Sequence, residues 1–207
     1  KMEGATTLFL VLKPSFTSST GKKFMELGDI TVFDNKIMHG ATWTSLDFSD
    51  GNPKILTLSM QRSSRYKTSY TPHLEIIDSS LFSIAELVYY PRLSSREQVK
   101  MVNTYLAIKY SVPITGVSDK DWRDYLAADS SRYWDYTTDK MYSLRVLGLG
   151  RSASEDLYQS QTQASHGSMM QLSLDTIKCP GQMPRVPISD AAMLLHIQLG
   201  IGYSANL

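Results

Sequence analysis

The side chains best suited to chemistry in this sequence are aromatic rings that lie close together beside carboxylates. Exposed rings of this kind stack on the apolar face of a sugar, while neighbouring polar groups bind its hydroxyls. The alternative is that the same rings pack inside the protein. The densest aromatic stretch contains Trp122, Tyr125, Tyr133, Trp134, Tyr136 and Tyr142. We predict ligand contacts at Tyr66, Tyr70, Trp122, Tyr133, Trp134 and Asp135.

Carboxylates also cluster after position 118. Calcium takes several oxygen ligands from a closed loop, commonly at alternate positions. Asp119 and Asp121 have this first spacing, but Lys120 and Arg123 intervene and no glycine follows at the turn. Asp119 and Asp121 are therefore incomplete calcium candidates, and solvated acids near a helix cap are the favoured interpretation. We expect no other cofactor.

His39 and Arg62 have the order found in one class of oxygenase. The pair resembles the distal half of phytanoyl-CoA hydroxylase-like enzymes, in which a histidine binds iron and an arginine holds the carboxylate of 2-oxoglutarate. Such an iron site needs three protein ligands, and no His-x-Asp or His-x-Glu precedes His39. Two ordinary polar residues at strand ends are favoured, and an Fe(II)/2-oxoglutarate-dependent oxygenase is kept as the alternative function.

Patterns for hydrolytic catalysis are missing from the sequence. A glycoside hydrolase built on a β-sandwich would require alternating carboxylates on one strand, and the sequence contains no such array. It also contains no Gly-x-Ser-x-Gly elbow. Cys179 is the single cysteine, which excludes an internal disulfide and a cysteine-based zinc site. We therefore expect a protein that is not an enzyme.

The clearest structural element is a strand that runs directly into a helix. Ile84–Tyr90 is β-branched and aromatic, and Pro91 has no N–H with which to continue a central ladder. Ser94 and Glu97 have the spacing of a capping box, and apolar residues then recur at helical spacing. The pattern predicts one amphipathic helix over 95–110.

The segments on either side of this helix have β character. Short apolar runs separated by turn residues, at spacings of roughly ten residues, are typical of a β-sandwich. We predict a mainly β chain with two domains, a sandwich over 1–115 that ends in the helix and a smaller β-rich domain over 116–207. The predicted strands of the second domain are Met141–Leu149, Met169–Ile177 and Ala191–Gly200.

The strand and helix also resemble those of a known module. IAELVYYPR (84–92) followed by LSSREQVKMVNTYLAIKYSV (93–112) is similar to the closing strand and helix of LamG-like jelly rolls, or concanavalin A-like sandwiches, in large surface proteins of Bacteroidota. The resemblance implies a jelly-roll sandwich with one capping helix. Further similar segments are TTLFLVLKP (6–14), FDNKIMHGA (33–41), PKILTLSMQ (53–61) and, downstream, DYLAADSSRYWDYTTDKMYSLRVLGLGR (124–151).

This resemblance implies a function and a location. Such modules serve adhesion, ligand binding or structural spacing in large multidomain proteins that the type IX route exports to the bacterial surface. The implied partners are other domains of the same polypeptide and a glycan or surface protein. A structural component of a virus or other particle is a further alternative, because jelly rolls are common in capsids.

Bulk composition restricts the partners further. The 207 residues carry a formal net charge of +1, so nothing argues for nucleic acid or an anionic membrane surface. No run of about 18 apolar residues is present, and we expect no transmembrane helix. Because the sequence starts at Lys1 and has few strands before the helix, we expect a piece of a longer polypeptide that lacks N-terminal strands of its sandwich.

Overall fold

The chain forms a mainly β structure with one long helix. Contacts divide it into two compact units, Lys1–Arg96 and Glu97–Leu207. The described part of the chain contains no helix that is long and apolar enough to cross a membrane. The computed structural model describes residues 5–61, 73–114, 120–127, 129–142, 148, 150–152, 157–159, 161–163 and 171–173.

The first unit consists of two antiparallel sheets. The smaller has the strand order β6-β1-β8 and the larger β5-β4-β3-β2-β7. Together with the helix that follows, they confirm the predicted β-sandwich with one helix. The strands are β1 (Ala5–Pro14), β2 (Lys23–Leu27), β3 (Ile30–Phe33), β4 (Lys36–His39), β5 (Thr42–Ser45), β6 (Lys54–Gln61), β7 (Leu74–Ile76) and β8 (Phe82–Tyr90).

Strand β1 is buried along most of its length. It pairs with β6 on one side and with β8 on the other, and residues 6–12 are all buried. Leu8, Leu10 and Leu12 alternate into the main core. Phe9 lies on the opposite face, where its ring meets Tyr90 edge-on at 6.0 Å between centroids. A continuous apolar run is what a central strand covered on both faces requires.

The core of the first unit is built around Phe82. Its ring makes edge-to-face contacts with Phe16, Phe24 and Phe48, at centroid distances of 5.2, 4.7 and 4.9 Å respectively. The register of β2 shifts between Lys23 and Met25, and both Phe24 and Met25 are buried. Burying each such ring contributes about 1.5–3 kcal/mol, so these contacts are a principal source of the unit's stability.

A buried carboxylate fixes the loop that joins β1 to β2. Asp34, which is 1% exposed, accepts hydrogen bonds from the Thr20 N–H at 2.7 Å, the Thr20 hydroxyl at 3.2 Å and the Gly21 N–H at 2.9 Å. Its own N–H donates to the Lys22 carbonyl at 3.0 Å. Hydrogen bonds to the ionised form offset the cost of burying this carboxylate, so Asp34 serves the fold.

The second unit starts at the second residue of the observed helix. The helix α1 spans Arg96–Tyr110, which confirms the prediction over 95–110. It is followed by short elements: a 3-10 turn at Lys120–Arg123, β9 (Tyr125–Leu126), β10 (Arg132–Trp134), α2 (Tyr136–Asp139), a 3-10 turn at Lys140–Tyr142, β11 (Gly150–Ser152), β12 (Leu157–Gln159), β13 (Gln161–Gln163) and β14 (Gln171–Ser173). The hairpins pair β9 with β10, β11 with β12 and β13 with β14.

The second unit differs in part from its predicted strands. The strand predicted over Met141–Leu149 is wrong at its start, because Met141 and Tyr142 complete a 3-10 turn after α2. β14 lies within the predicted strand Met169–Ile177, whereas Ala191–Gly200 is outside the described residues. The predicted domain boundary after residue 115 stays a prediction; contacts divide the chain earlier, between Arg96 and Glu97.

One hydroxyl ties β1 to the turn that follows β8. Thr7 Oγ1 donates to the Arg92 carbonyl at 3.1 Å and accepts from the Ser94 N–H at 2.9 Å. Thr7 is fully buried. In the predicted capping box the Ser94 N–H would be directed to the Glu97 side chain. The structure instead shows that a distant strand satisfies this donor.

Two adjacent threonines of β1 allow a test of this bridge. Replacing Thr7 with the isosteric valine leaves the Ser94 N–H and the Arg92 carbonyl without this partner. Because both bonds are partly buried, we expect the free energy of unfolding to fall by about 1 kcal/mol. Thr6 is the matched control, because it is equally buried and its hydroxyl has no hydrogen-bond partner in the described part of the chain. Thr6→Val is expected to leave stability unchanged or slightly higher. Urea unfolding followed by circular dichroism measures both, and equal losses would contradict the bridge.

Candidate functional site

One of the aromatic residues predicted to bind a ligand, Trp134, forms part of the second unit's core. Trp134 is 4% exposed, and its ring meets Tyr125 at 5.3 Å and Tyr136 at 6.0 Å, both edge-to-face. Tyr125 is itself 2% exposed. Trp134 therefore packs inside the unit, as the alternative interpretation holds, and it does not present its ring at the surface. The physical reason is that a short hairpin buries its largest side chain against the nearest other rings.

Asp135 has a structural task beside this core. Its carboxylate accepts the N–H groups of Thr137 at 2.7 Å and Thr138 at 3.2 Å, which makes it the N-cap of α2. The Arg132 guanidinium donates to it at 2.6 Å. The bond from Arg132, followed by those from the helix N–H groups, lowers the pKa of Asp135 below its usual value. Ligand contact at Asp135 stays a prediction.

The remaining predicted residues are only partly described. Trp122 lies half-buried in the 3-10 turn Lys120–Arg123, and Asp121 belongs to the same turn. Tyr133 is in β10, and the structure does not describe the side chains of Tyr133 and Asp121. Tyr66, Tyr70 and Asp119 lie outside the described residues. Where the structure describes the chain, no three His, Cys, Asp or Glu side chains lie together as metal ligands would.

The helix α1 is joined to the β9–β10 hairpin by buried hydrogen bonds. The Leu126 N–H donates to Thr104 Oγ1 at 3.0 Å, and the Tyr125 hydroxyl accepts from the Ile114 N–H at 3.2 Å. Burial raises the pKa of the Tyr125 hydroxyl to about 12. The hydrogen bond from the Ile114 N–H lowers this pKa, but by a smaller amount. These contacts hold the helix and the hairpin in one register.

A buried ion-pair network supports the same hairpin. Asp124 is 2% exposed and lies 3.3 Å from Arg132 Nε and 3.9 Å from Lys100 Nζ. The Tyr136 N–H donates to its other oxygen at 3.0 Å. Lys100 is itself 9% exposed, so its ammonium depends on this carboxylate, whereas the half-exposed Arg132 also reaches Asp135. The network joins α1, β10 and α2, and the burial of its carboxylate indicates a structural role.

The exposed aromatic side chain of the described chain lies in the first unit instead. Trp43, in β5, is 66% exposed. The strand register places Met38 of β4 opposite Trp43, Thr31 of β3 opposite Met38, and Glu26 of β2 opposite Thr31. These four side chains form a row on the face of the larger sheet that points away from the core, because the alternate residues of β3 are buried. We name this surface the outer face.

A second row extends the outer face. Phe33 and Lys36 lie there, and the Lys36 ammonium is 5.1 Å from the centre of the Phe33 ring. Lys23 and Glu26 form an exposed ion pair at 2.7 Å, which neutralises both charges locally. The outer face therefore offers an exposed indole beside a thioether, a hydroxyl, an ammonium and a carboxylate. This is the set of groups with which proteins contact the two sides of a sugar.

His39 is paired within the first unit. Its Nε2 lies 3.0 Å from an Asp29 carboxylate oxygen, and both side chains are more than half exposed. Arg62 lies outside the described residues. In the described part of the chain, His39 has one carboxylate neighbour instead of the three-ligand group that an oxygenase iron requires.

Comparison with protein-family models gives a match to part of the chain. A family model with the description "Domain of unknown function (DUF8202)" matches residues 98–193. The matched range begins in α1 and contains Asp124, Tyr125 and Trp134, whereas Trp43 lies outside it. A search of curated proteins and a search of solved structures found no significant match.

The ion-pair network predicts that replacing two neighbouring aspartates, Asp124 and Asp129, lowers the stability of the protein by different amounts. Asp124→Ala leaves the Lys100 ammonium buried without its counter-charge, and we expect the free energy of unfolding to fall by about 3–5 kcal/mol. Asp129→Ala is the control, because Asp129 is exposed and, among the described residues, accepts side-chain hydrogen bonds from Ser131 alone. Adding Lys100→Met to Asp124→Ala is expected to recover part of the loss. Urea unfolding of the three variants measures this, and equal effects of the two aspartate substitutions would refute the network.

Burial of Tyr125 predicts a loss of stability at high pH. The unfolded chain releases this proton near pH 10, whereas the folded protein retains it to about pH 12. The contribution is complete below pH 10 and is lost as the pH rises toward 12, so the free energy of unfolding falls across this interval. Tyr125→Phe removes the titrating group and is expected to flatten the fall. Urea midpoints measured across the interval test this; identical slopes for the two proteins would count against a buried neutral Tyr125.

Proposed function

We propose that this chain is a non-catalytic, extracellular surface module and that its outer face binds a glycan. The observation that carries the proposal is Trp43, whose indole is 66% exposed on a regular sheet. The core packs against the other face of this sheet at β2 and β3, and β5 is held by its pairing with β4. A ring held on such a support loses little conformational entropy on binding, because its backbone is already fixed.

The neighbours of Trp43 support a sugar as the ligand. The exposed indole supplies an apolar plane, and the half-buried Met38 beside it extends that surface. Thr31, Glu26 and Lys36 provide hydrogen-bond donors and acceptors on the same face of the sheet. Sugars combine an apolar ring face with a rim of hydroxyls, and this arrangement matches both parts.

The surface location is proposed from the resemblance of the strand and helix to LamG-like modules of Bacteroidota surface proteins. Modules of that class serve adhesion, and their partners include other domains of the same polypeptide. Export by the type IX route belongs to the same proposal. The observed β-sandwich with one helix supports it at the level of architecture.

A glycan array followed by titration tests the proposal. We expect the intact chain to bind at least one array glycan, and we expect Trp43→Ala to weaken that binding at least about tenfold, which is 1.4 kcal/mol. The fold is expected to persist, because the removed ring is mostly exposed. Binding with and without a chelator shows whether calcium contributes.

Met141→Ala is the matched control for this experiment. Met141 is 88% exposed and belongs to the second unit, so its loss is expected to leave glycan affinity unchanged. Equal affinities of the wild type and Trp43→Ala would show that the outer face is not the binding surface. Failure to bind across a broad array would remove the glycan from the proposal.

A further inference from the structure

Among the described residues, strand β5 is the last strand of the larger sheet, and one of its edges is open. The strand order begins at β5, and no described residue pairs with its far side. All four of its residues, Thr42–Ser45, are exposed. The N–H and C=O groups along such an edge form a template for another strand.

The alternation of bonded and non-bonded residue pairs between β4 and β5 identifies the backbone groups that face this open edge. The Leu46 N–H donates to the Asn35 carbonyl at 2.8 Å, so these two residues form a hydrogen-bonded pair. Bonded and non-bonded pairs alternate along an antiparallel ladder. Thr44 therefore bonds to Ile37 of β4. Trp43 and Ser45 direct their backbone groups away from β4, toward the open edge.

We propose that β5 of a second copy of this chain occupies this edge, so that two larger sheets join into one antiparallel sheet. Trp43 and Ser45 are two residues apart, which makes the edge self-complementary. Trp43 of one copy pairs with Ser45 of the other, and the reverse pair forms around a twofold axis at Thr44. Each pair exchanges two backbone hydrogen bonds.

The side chains of β5 suit this symmetric register. The large Trp43 faces the small Ser45 of the second copy, so no bulky groups collide on the outer face. Thr44 faces its own counterpart, and cross-strand threonine pairs are favourable. The segment Thr42–Ser45 contains no charge, proline or glycine that would oppose pairing.

The opposite edge of the same sheet provides a contrast. Strand β7 has only three residues, and the exposed Glu75 is at its centre. Two copies of that edge would place like charges together, which natural proteins use to prevent pairing. The uncharged β5 edge is therefore the one that fits a second copy. This inference goes beyond the proposed function, since the pairing needs no glycan.

The paired arrangement also has a consequence for the outer face. The two Trp43 residues become diagonal neighbours on one face, with their Cα atoms roughly 7–8 Å apart. Their indoles then form a single, twofold-symmetric aromatic surface. Dimerisation would double the aromatic surface available to a ligand without any change within either copy.

A charge-swap experiment on the full chain tests the pairing. Sedimentation equilibrium is expected to show a reversible monomer–dimer equilibrium for the wild type. Thr44→Lys and Thr44→Glu each place like charges opposite one another at the twofold axis, and we expect each to raise the dimer dissociation constant at least about tenfold. An equimolar mixture of the two variants is expected to form a heterodimer at low salt, which weakens as salt is added.

The choice of Thr44 keeps the variants folded. Its side chain is exposed and its backbone bonds run within the sheet, so circular dichroism is expected to be unchanged. A wild type that stays monomeric at all concentrations would overturn the proposal. A dimer that neither variant affects would place the interface elsewhere. Capture of an extended peptide by a monomeric wild type would assign the edge to another class of partner.

Discussion

The burial of β1 is the constraint on which the first unit depends. Seven consecutive residues of β1, 6–12, are buried, and β6 and β8 pair with its two edges. A strand in this position has to be apolar on both faces, and its leucines supply one side of the main core. The polar Thr7 is tolerated because its hydroxyl bonds to two backbone groups near the end of β8. The same strand thereby supplies the core and fixes the turn before the helix.

Local signals explain why the sequence predicted the strand, the turn and the helix around Pro91. Proline, helical periodicity and β-branched residues act over a few neighbouring positions, so their effect is readable without a structure. The bond between Thr7 and Ser94 joins residues 87 positions apart, and no local pattern indicates it. The same limit applies to Asp124, whose partner Lys100 lies on the preceding helix. A carboxylate within an acidic segment has the same local pattern whether it is solvated or buried.

The candidate site shows the same limit more sharply. A stretch dense in aromatic residues is compatible with either a binding surface or a core, and only the burial of each ring distinguishes the two. The ring of Trp134 is buried in the core. Trp43 was missed because a single tryptophan in a short strand between turns has no neighbouring rings to mark it. An available signal was the alternation in Thr-Trp-Thr-Ser, where small polar residues flank one large ring directly after a Gly-Ala turn. Only the sheet order shows that this segment is an edge.

The larger sheet divides its surfaces between stability and recognition. Its inner face is closed by aromatic and aliphatic contacts, so changes on the outer face remove few of the contacts that hold the sheet together. An uncharged open edge and an exposed indole each raise the risk of unwanted association, and proteins commonly suppress both with charge. β7 carries such a charge at its centre and β5 does not. This asymmetry within one sheet supports specific contacts at β5. If the strand had no binding role, a lysine in place of Thr44 would increase the solubility of the protein at no cost to binding.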